Sequence, residues 1–435
     1  MKELISYIDS LKNEIIENRR DFHQYPETGW TEIRTASKIV EKLKSYGYDV
    51  KYGKSVIDID SRMGVPTQKV LDSAYTRAKE QGGILEYIDD LKDGFTGVVG
   101  TMRFGEGPVV GLRFDIDALN IQEVESDSHV PNREDFASKN KGVMHSCGHD
   151  GHAAIGLGVA KTIAENKEKF QSGTIKIIFQ PAEEGVRGAK SMVLGGVVDD
   201  VDYIIGGHIM ANEDFGSLVC GNNGFLATTK LDVKFIGLPS HAGGAPNEGK
   251  NSLLSACTAV LNLHSIPRHN KGASRINVGS LIVDGDRNII PHETSMKIET
   301  RGQSTEINQY VKEYAERIIK NAAGMHDCDY SINYVGESIC ALSDVDIAKI
   351  IEDAGNSIEG VSAIQLISDK PSGSEDFMFM VDRVQKNGGK ATYFTVGGAR
   401  GDFKPGHHTQ GFDFDEDALA ISVKLNVLAA YKLLV

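Results

Sequence analysis

From Gly97 onward, apolar runs of strand length alternate with helical stretches, and that alternation leaves few architectures open. The runs fall at 98–104, 109–114, 174–179, 201–205 and 392–396, and a helical stretch at 152–168 separates two of them. The pattern predicts an α/β fold, a large domain with a mixed sheet flanked by helices. At 435 residues the chain is too long for one ordinary domain. A second texture, strand–helix–strand–strand–helix–strand, fills residues 224–336 and predicts an inserted α+β domain, leaving 1–223 and 337–435 to the larger one.

Ahead of the alternation, Leu4, Ile8, Leu11 and Ile15 mark one face of an amphipathic helix, and Ile33, Ala36, Val40 and Leu43 mark a second. Residues 55–95 are polar and helix-leaning, and read as an insertion that covers a pocket or shapes a subunit contact. Lys and Arg number 47 against 61 Asp and Glu, a net charge of −14. That balance excludes binding of nucleic acid or anionic membrane through a bulk basic surface, while leaving room for a local basic pocket. No stretch approaches the ~20 apolar residues of a membrane span, and the first 20 residues lack a signal-peptide layout. The five cysteines are scattered and contain no CxxC, so a cytoplasmic protein without a disulfide framework is expected.

Metal-capable side chains gather just after the expected strands. Asp115 and Asp117 follow one, Glu183 and Glu184 another, His208 a third, and His407 and His408 the last. In an open α/β sheet, ligands sit beyond the carboxyl ends of strands, so these groups can converge although distant in sequence. The densest cluster is His145-Ser-Cys147-Gly-His149-Asp150-Gly-His152. A cysteine and a histidine two apart can face one ion, and the ion stabilises the thiolate; the blander alternative is a turn into a helix around an inert thiol. Adjacent Glu183 and Glu184 repel unless a cation or a shared proton intervenes. One can ligate metal while the other shuttles protons, as metal-assisted hydrolysis requires, or both can simply favour a helix N-terminus. No GxSxG elbow and no phosphate-binding GxxxxGK[ST] loop is present.

Taken together, Arg20-Asp-Phe-His23 with Pro26-Glu27, Phe114-Asp-Ile-Asp-Ala-Leu119, Cys147-Gly-His149-Asp150-Gly-His152, Pro181-Ala-Glu-Glu-Gly185, Gly207-His208, Ser240-His241-Ala-Gly243 and His408 with Phe412 and Glu416 resemble the M20 metallopeptidases, in their amidohydrolase branch. The motifs occur in the family's order over nearly the whole chain. The resemblance implies two divalent ions, Mn2+ or Zn2+, bridged by Cys147, with His149 and His208 on one and Glu184 and His408 on the other. It implies Glu183 as general base, Asp115 orienting a ligand histidine, and His241 stabilising the oxyanion across a dimer. Asn288 and Arg301 match positions that hold a substrate carboxylate; a surface role at a strand end is the alternative for Arg301. The inserted domain resembles the family's lid and dimerisation domain. The implied substrate is a small N-acyl amino acid, and Ser61-Arg-Met-Gly64-Val-Pro66 with the stretch around Asn308-Gln-Tyr-Val311 narrows it to 4-aminobenzoyl-glutamate. A broader N-acyl-amino-acid or dipeptide hydrolase is the alternative within the class. A homodimer or a heterodimer with a related chain is implied, and a metal-binding partner chain inactive alone is the alternative from outside the class.

Overall fold

The computed structural model describes residues 1–283 and 285–435. In chain order its strands are β1 (Asp49–Tyr52), β2 (Val98–Arg103), β3 (Val109–Asp115), β4 (Thr174–Gln180), β5 (Tyr203–Met210), β6 (Ser217–Val219), β7 (Ala227–Ile236), β8 (Ser274–Val283), β9 (Glu293–Gly302), β10 (Asp329–Ser338), β11 (Ala363–Gln365) and β12 (Lys390–Gly397). They divide between two compact units, residues 1–224, 341–370 and 376–435 in the larger and 225–340 with 371–375 in the smaller.

The larger unit is built on a mixed eight-stranded sheet in the order β1-β2-β4-β3-β5-β12-β6-β11. Its centre, β4-β3-β5-β12, is parallel throughout, and β1 and β2 extend it antiparallel at one edge. Along β3 the side chains alternate between faces. Phe114 meets Gly156 of the helix His149–Glu165, where a Cβ would lie 2.8 Å from the ring. Arg113 sits beside Phe377, just ahead of the helix Met378–Lys386. Helices therefore cover both faces. The apolar helix Asp417–Leu434 and the amphipathic Lys12–Gln24 pack against His149–Glu165 and complete that layer.

The alternation read from the sequence is realised, with β5 longer than expected. The pair Gly206-Gly207 looks like a break at 205, yet both residues stay in the strand and carry it to Met210. A Cβ at Gly206 would approach Phe377 to 2.8 Å and one at Gly207 would approach Phe394 to 2.6 Å, so glycine is demanded by ring packing. His208 thus lies within the sheet, paired with Thr395. The polar segment 55–95 contributes two helices, Gln68–Glu80 and Leu85–Leu91.

The smaller unit is an antiparallel sheet, β10-β7-β9-β8, packed against the helices Ser252–His264 and Thr305–Met325. The two-residue burial alternation of β9 fits a sheet with one covered face. Asn251 caps the first helix by accepting from the Leu253 and Leu254 amides. Among the described residues, no helix is long and apolar enough to cross a membrane.

Candidate active site

Because β4, β3, β5 and β12 are parallel neighbours, their carboxyl ends open on one edge of the sheet. Asp115 and Asp117 leave β3 there, Glu183 and Glu184 leave β4, His208 projects from β5, and the loop after β12 brings His407 and His408. Cys147 and His149 come from the turn that starts the helix His149–Glu165. Gly148, at φ +95°, makes that turn in a conformation few side chains tolerate.

Cys147 is the common member of two donor sets. Its Sγ, with nitrogens of His149 and His208, forms one group whose ligand atoms all lie within 4.8 Å of one another, and with Glu184 and His408 it forms a second. Sγ is 3.4 Å from His208 Nε2, and His408 Nε2 is 3.2 Å from Glu184 Oε1. The His408 amide donates to the Ser146 carbonyl at 2.8 Å, which pins the loop beside Cys147.

Supporting contacts orient the imidazoles. His208 Nδ1 lies 2.7 Å from the Ile209 carbonyl, and His149 Nδ1 lies 2.9 Å from the Asp117 carbonyl and 3.3 Å from its Oδ1. Donation from Nδ1 leaves each Nε2 lone pair aimed into the site, the arrangement seen in metal-ligating histidines. His149 Nε2 is buried without a hydrogen-bond partner among the described residues. A shared thiol, three imidazoles and a carboxylate with such an orphaned nitrogen fit divalent metal chemistry.

The two aspartates divide their work. Asp117 also accepts the Glu183 and Glu184 amides, each at 3.0 Å, so one carboxylate fixes both glutamates and His149. Asp115 Oδ1 is 3.8 Å from His149 Nε2, but its hydrogen bonds run to His152 Nδ1 at 2.5 Å and Arg113 at 2.6 Å. His152 in turn accepts the Ile209 amide at 3.0 Å and lies edge-on to His208. Although burial opposes ionisation of Asp115, His149 and Arg113 hold its carboxyl well below the usual range. His407, the neighbour of His408, has Nδ1 3.6 Å from Cys147 Sγ. Asp117 stood in the sequence only as a metal-capable neighbour of Asp115, without this role. The sequence showed His152 and His407 only as members of their clusters, without a role for either.

His241, Asn288 and Arg301 belong to the smaller unit. The Ala242 amide donates to the Asn288 carbonyl at 2.9 Å, and His241 bridges Ile289, so the first two are neighbours. His241 Nδ1 accepts the Gly243 and Gly244 amides at 3.1 and 3.0 Å, which leaves Nε2–H as its donor. Arg301, near the end of β9, holds Glu299 through two bonds of 3.0 Å.

Residues 111–432 match the family model described as Peptidase family M20/M25/M40, and the chain belongs to that family. It is a metal-dependent amidohydrolase. It is 44% identical to the indole-3-acetyl-aspartic acid hydrolase of Enterobacter agglomerans, over 99% of this chain and 98% of the relative. It is 43% identical to one of the subunits of the p-aminobenzoyl-glutamate hydrolase of Escherichia coli, over 98% and 97%. The crystal structure of an aminobenzoyl-glutamate utilization protein from Klebsiella pneumoniae is similar with a TM-score of 0.85 and 37% identity, covering 99% of this chain and 98% of that one.

Proposed function

We propose that the protein hydrolyses the amide of an N-acyl amino acid with an aromatic acyl group and an acidic amino acid, p-aminobenzoyl-glutamate foremost, to p-aminobenzoate and glutamate. The observation that carries this reading is the Cys147 sulfur shared by two donor sets with Glu183 at their side: His149 Nε2 is 4.0 Å from Glu183 Oε2. The names of the relatives support the substrate class, and the 44% match to an acyl-aspartate hydrolase makes indole-3-acetyl-aspartate the second reading.

In this reading two divalent ions would be held by Cys147, common to both sets, with His149 and His208 in one set and Glu184 and His408 in the other. Thiolate and imidazole suit Zn2+, and the carboxylate suits Mn2+ as well. Such ions supply a water of lowered pKa and polarise the scissile carbonyl. Glu183 takes the proton from the attacking water and delivers it to the leaving nitrogen as the C–N bond breaks. Asp117 holds Glu183, Glu184 and His149 in place for this, and Asp115 steadies the site through His152. His241, reaching across the dimer, would donate a hydrogen bond from Nε2–H to the oxyanion. Asn288 and Arg301 bind the free carboxylate, which the Arg301 fork can meet with two bonds. The smaller unit serves as lid and as the dimer contact, with a second copy or with a related chain; the E. coli relative is named as one subunit of its enzyme, which favours the latter.

A metal-loaded preparation assayed against p-aminobenzoyl-glutamate, indole-3-acetyl-aspartate, aliphatic acyl-amino acids and dipeptides tests the proposal. Aromatic acyl-glutamate should be cleaved fastest, and Glu183→Gln should retain its metal while losing at least ~10²-fold in kcat. Preference for dipeptides, or a Glu183→Gln enzyme as fast as the parent, would overturn it. Turnover that appears only after a related chain is added would identify an obligate heteromer.

A further inference from the structure

We propose that Arg187 is a positioning residue, which clamps the turn carrying Glu183 and Glu184 to the insertion at 55–95 and so makes that insertion part of the catalytic machinery. The inference rests on the assignment of Glu183 as proton carrier and explains how that carboxylate is held.

The turn after β4 is one that sequence alone would not hold. Ala182, Gly185 and Val186 have φ of +51°, +85° and +59°, and for a β-branched valine that conformation is costly. Such backbone persists only where its surroundings over-determine it. Glu32 accepts the Ala182 amide at 2.8 Å, and Asp117 accepts the next two amides. The far side of the turn is held by Arg187. Its Nε donates to the Glu184 carbonyl at 2.8 Å and its Nη1 to the Gly64 carbonyl at 3.1 Å.

Two features show that this guanidinium acts by geometry. No carboxylate lies within ion-pair distance of it among the described residues, and both of its hydrogen bonds go to main-chain carbonyls. It is also cradled, since a Cβ at Gly29 would lie 2.2 Å from Arg187 Nη2. The anchoring loop is itself fixed. Met63 O accepts Trp30 Nε1 at 2.8 Å, and Arg62 donates to the Asp93 carbonyl at 2.6 Å while lying over Phe95. The fully buried Trp30 follows Gly29 directly, so cradle and anchor share one segment.

Arg187→Ala, Arg187→Lys and Gly29→Ala are compared as metal-loaded proteins with p-aminobenzoyl-glutamate. For Arg187→Ala, kcat should fall on the order of 10²-fold while KM stays within about twofold. Lysine should restore little, because one ammonium cannot span two carbonyls as the fork does, and added guanidinium salt should partly restore the alanine variant. Gly29→Ala, which keeps the Arg187 side chain but crowds its Nη2 and sets a Cβ 3.0 Å from Ala182 of the same turn, should reproduce the kcat loss. Amide hydrogen exchange over residues 182–188 should accelerate in all three variants, with or without metal. A folded Arg187→Ala enzyme with the parent's kcat and exchange overturns the proposal, as does a Gly29→Ala enzyme indistinguishable from the parent. If the parent cleaves no acyl-amino acid, the proposed function fails, and the exchange measurement still decides whether Arg187 holds the turn.

Discussion

The site's own side chains hold protons that metal must displace. Burial pushes the Cys147 thiol up from its ordinary value, and Glu184 beside it adds to the shift. His408 is pushed up to about 10 by hydrogen bonds to Cys147 and Glu184, and at His149 the charges of Asp115 and Cys147 outweigh burial, which by itself would lower it. All three must be deprotonated to coordinate an ion, so loading releases protons and weakens as pH falls. Calorimetry at about pH 7.5 in buffers of different ionisation enthalpy should show more than one proton released per protein. Cys147→Ala should lose at least one metal equivalent by mass spectrometry and most of the proton release. A buffer-independent heat would contradict the shared-thiolate arrangement. At this scale the motifs picked out the side chains that the fold brings together, and they did so because metal-capable chemistry is written in residue type. The role of Asp117 was hidden, since it depends on two amides that only the turn after β4 brings to one carboxylate.

Among the elements, β5 and the turn after β4 have most of the site to support. Gly207→Ala would drive a Cβ into the Phe394 ring on β12. Overpacking of this kind costs about 1–3 kcal/mol, and because His208 is the next residue, metal affinity should fall with stability. Urea unfolding and metal titration of the variant check both, and a variant with unchanged midpoint and affinity would show that the ring has room to move. Asp376 gives a second example of support from a distance. In the fold its carboxylate accepts the Gly188 and Ala189 amides, each at 2.9 Å, and so starts the helix Ala189–Leu194 beyond the Glu183 turn. The long strands were legible because apolar runs report burial on two faces. The three-residue strands β6 and β11 were not, since their pairing with each other is a long-range choice with little local signal.

For the molecule as a whole, a buried charge network behind the site ties the N-terminal helices to the C-terminal one. Arg19 contacts Asp150 at 2.8 Å, Asp413 at 2.9 Å and Glu416 at 3.2 Å, and His23 lies between Asp150 at 2.8 Å and Glu123 at 3.0 Å. Burial alone would lower the His23 pKa, but the bonds to Asp150 and Glu123 push it up to about 9 from 6.5. Its protonated form is the one stabilised, so the contribution is complete below about pH 6.5 and is lost as pH rises through about 9. At about 1.4 kcal/mol per pH unit the effect is of the order of 3 kcal/mol. Glu123, held near 2 against burial by His129 and His23, contributes above its ordinary value of 4.5 and loses that contribution as pH falls toward 2. The gap in melting temperature between the parent and His23→Gln should therefore be widest between about pH 5 and 6 and should narrow by about pH 9–10; a gap constant across that range would place the proton elsewhere. Residue order alone was enough for the class of fold and the reaction type, and it singled out side chains that the fold gathers at one edge of the sheet, because periodicity and ligand chemistry are properties of residues close together or identical in kind. Which carboxylate holds which imidazole, how the Glu183 turn is restrained and where each unit ends were settled by the folded chain, because those outcomes depend on atoms far apart in sequence being packed within hydrogen-bonding distance.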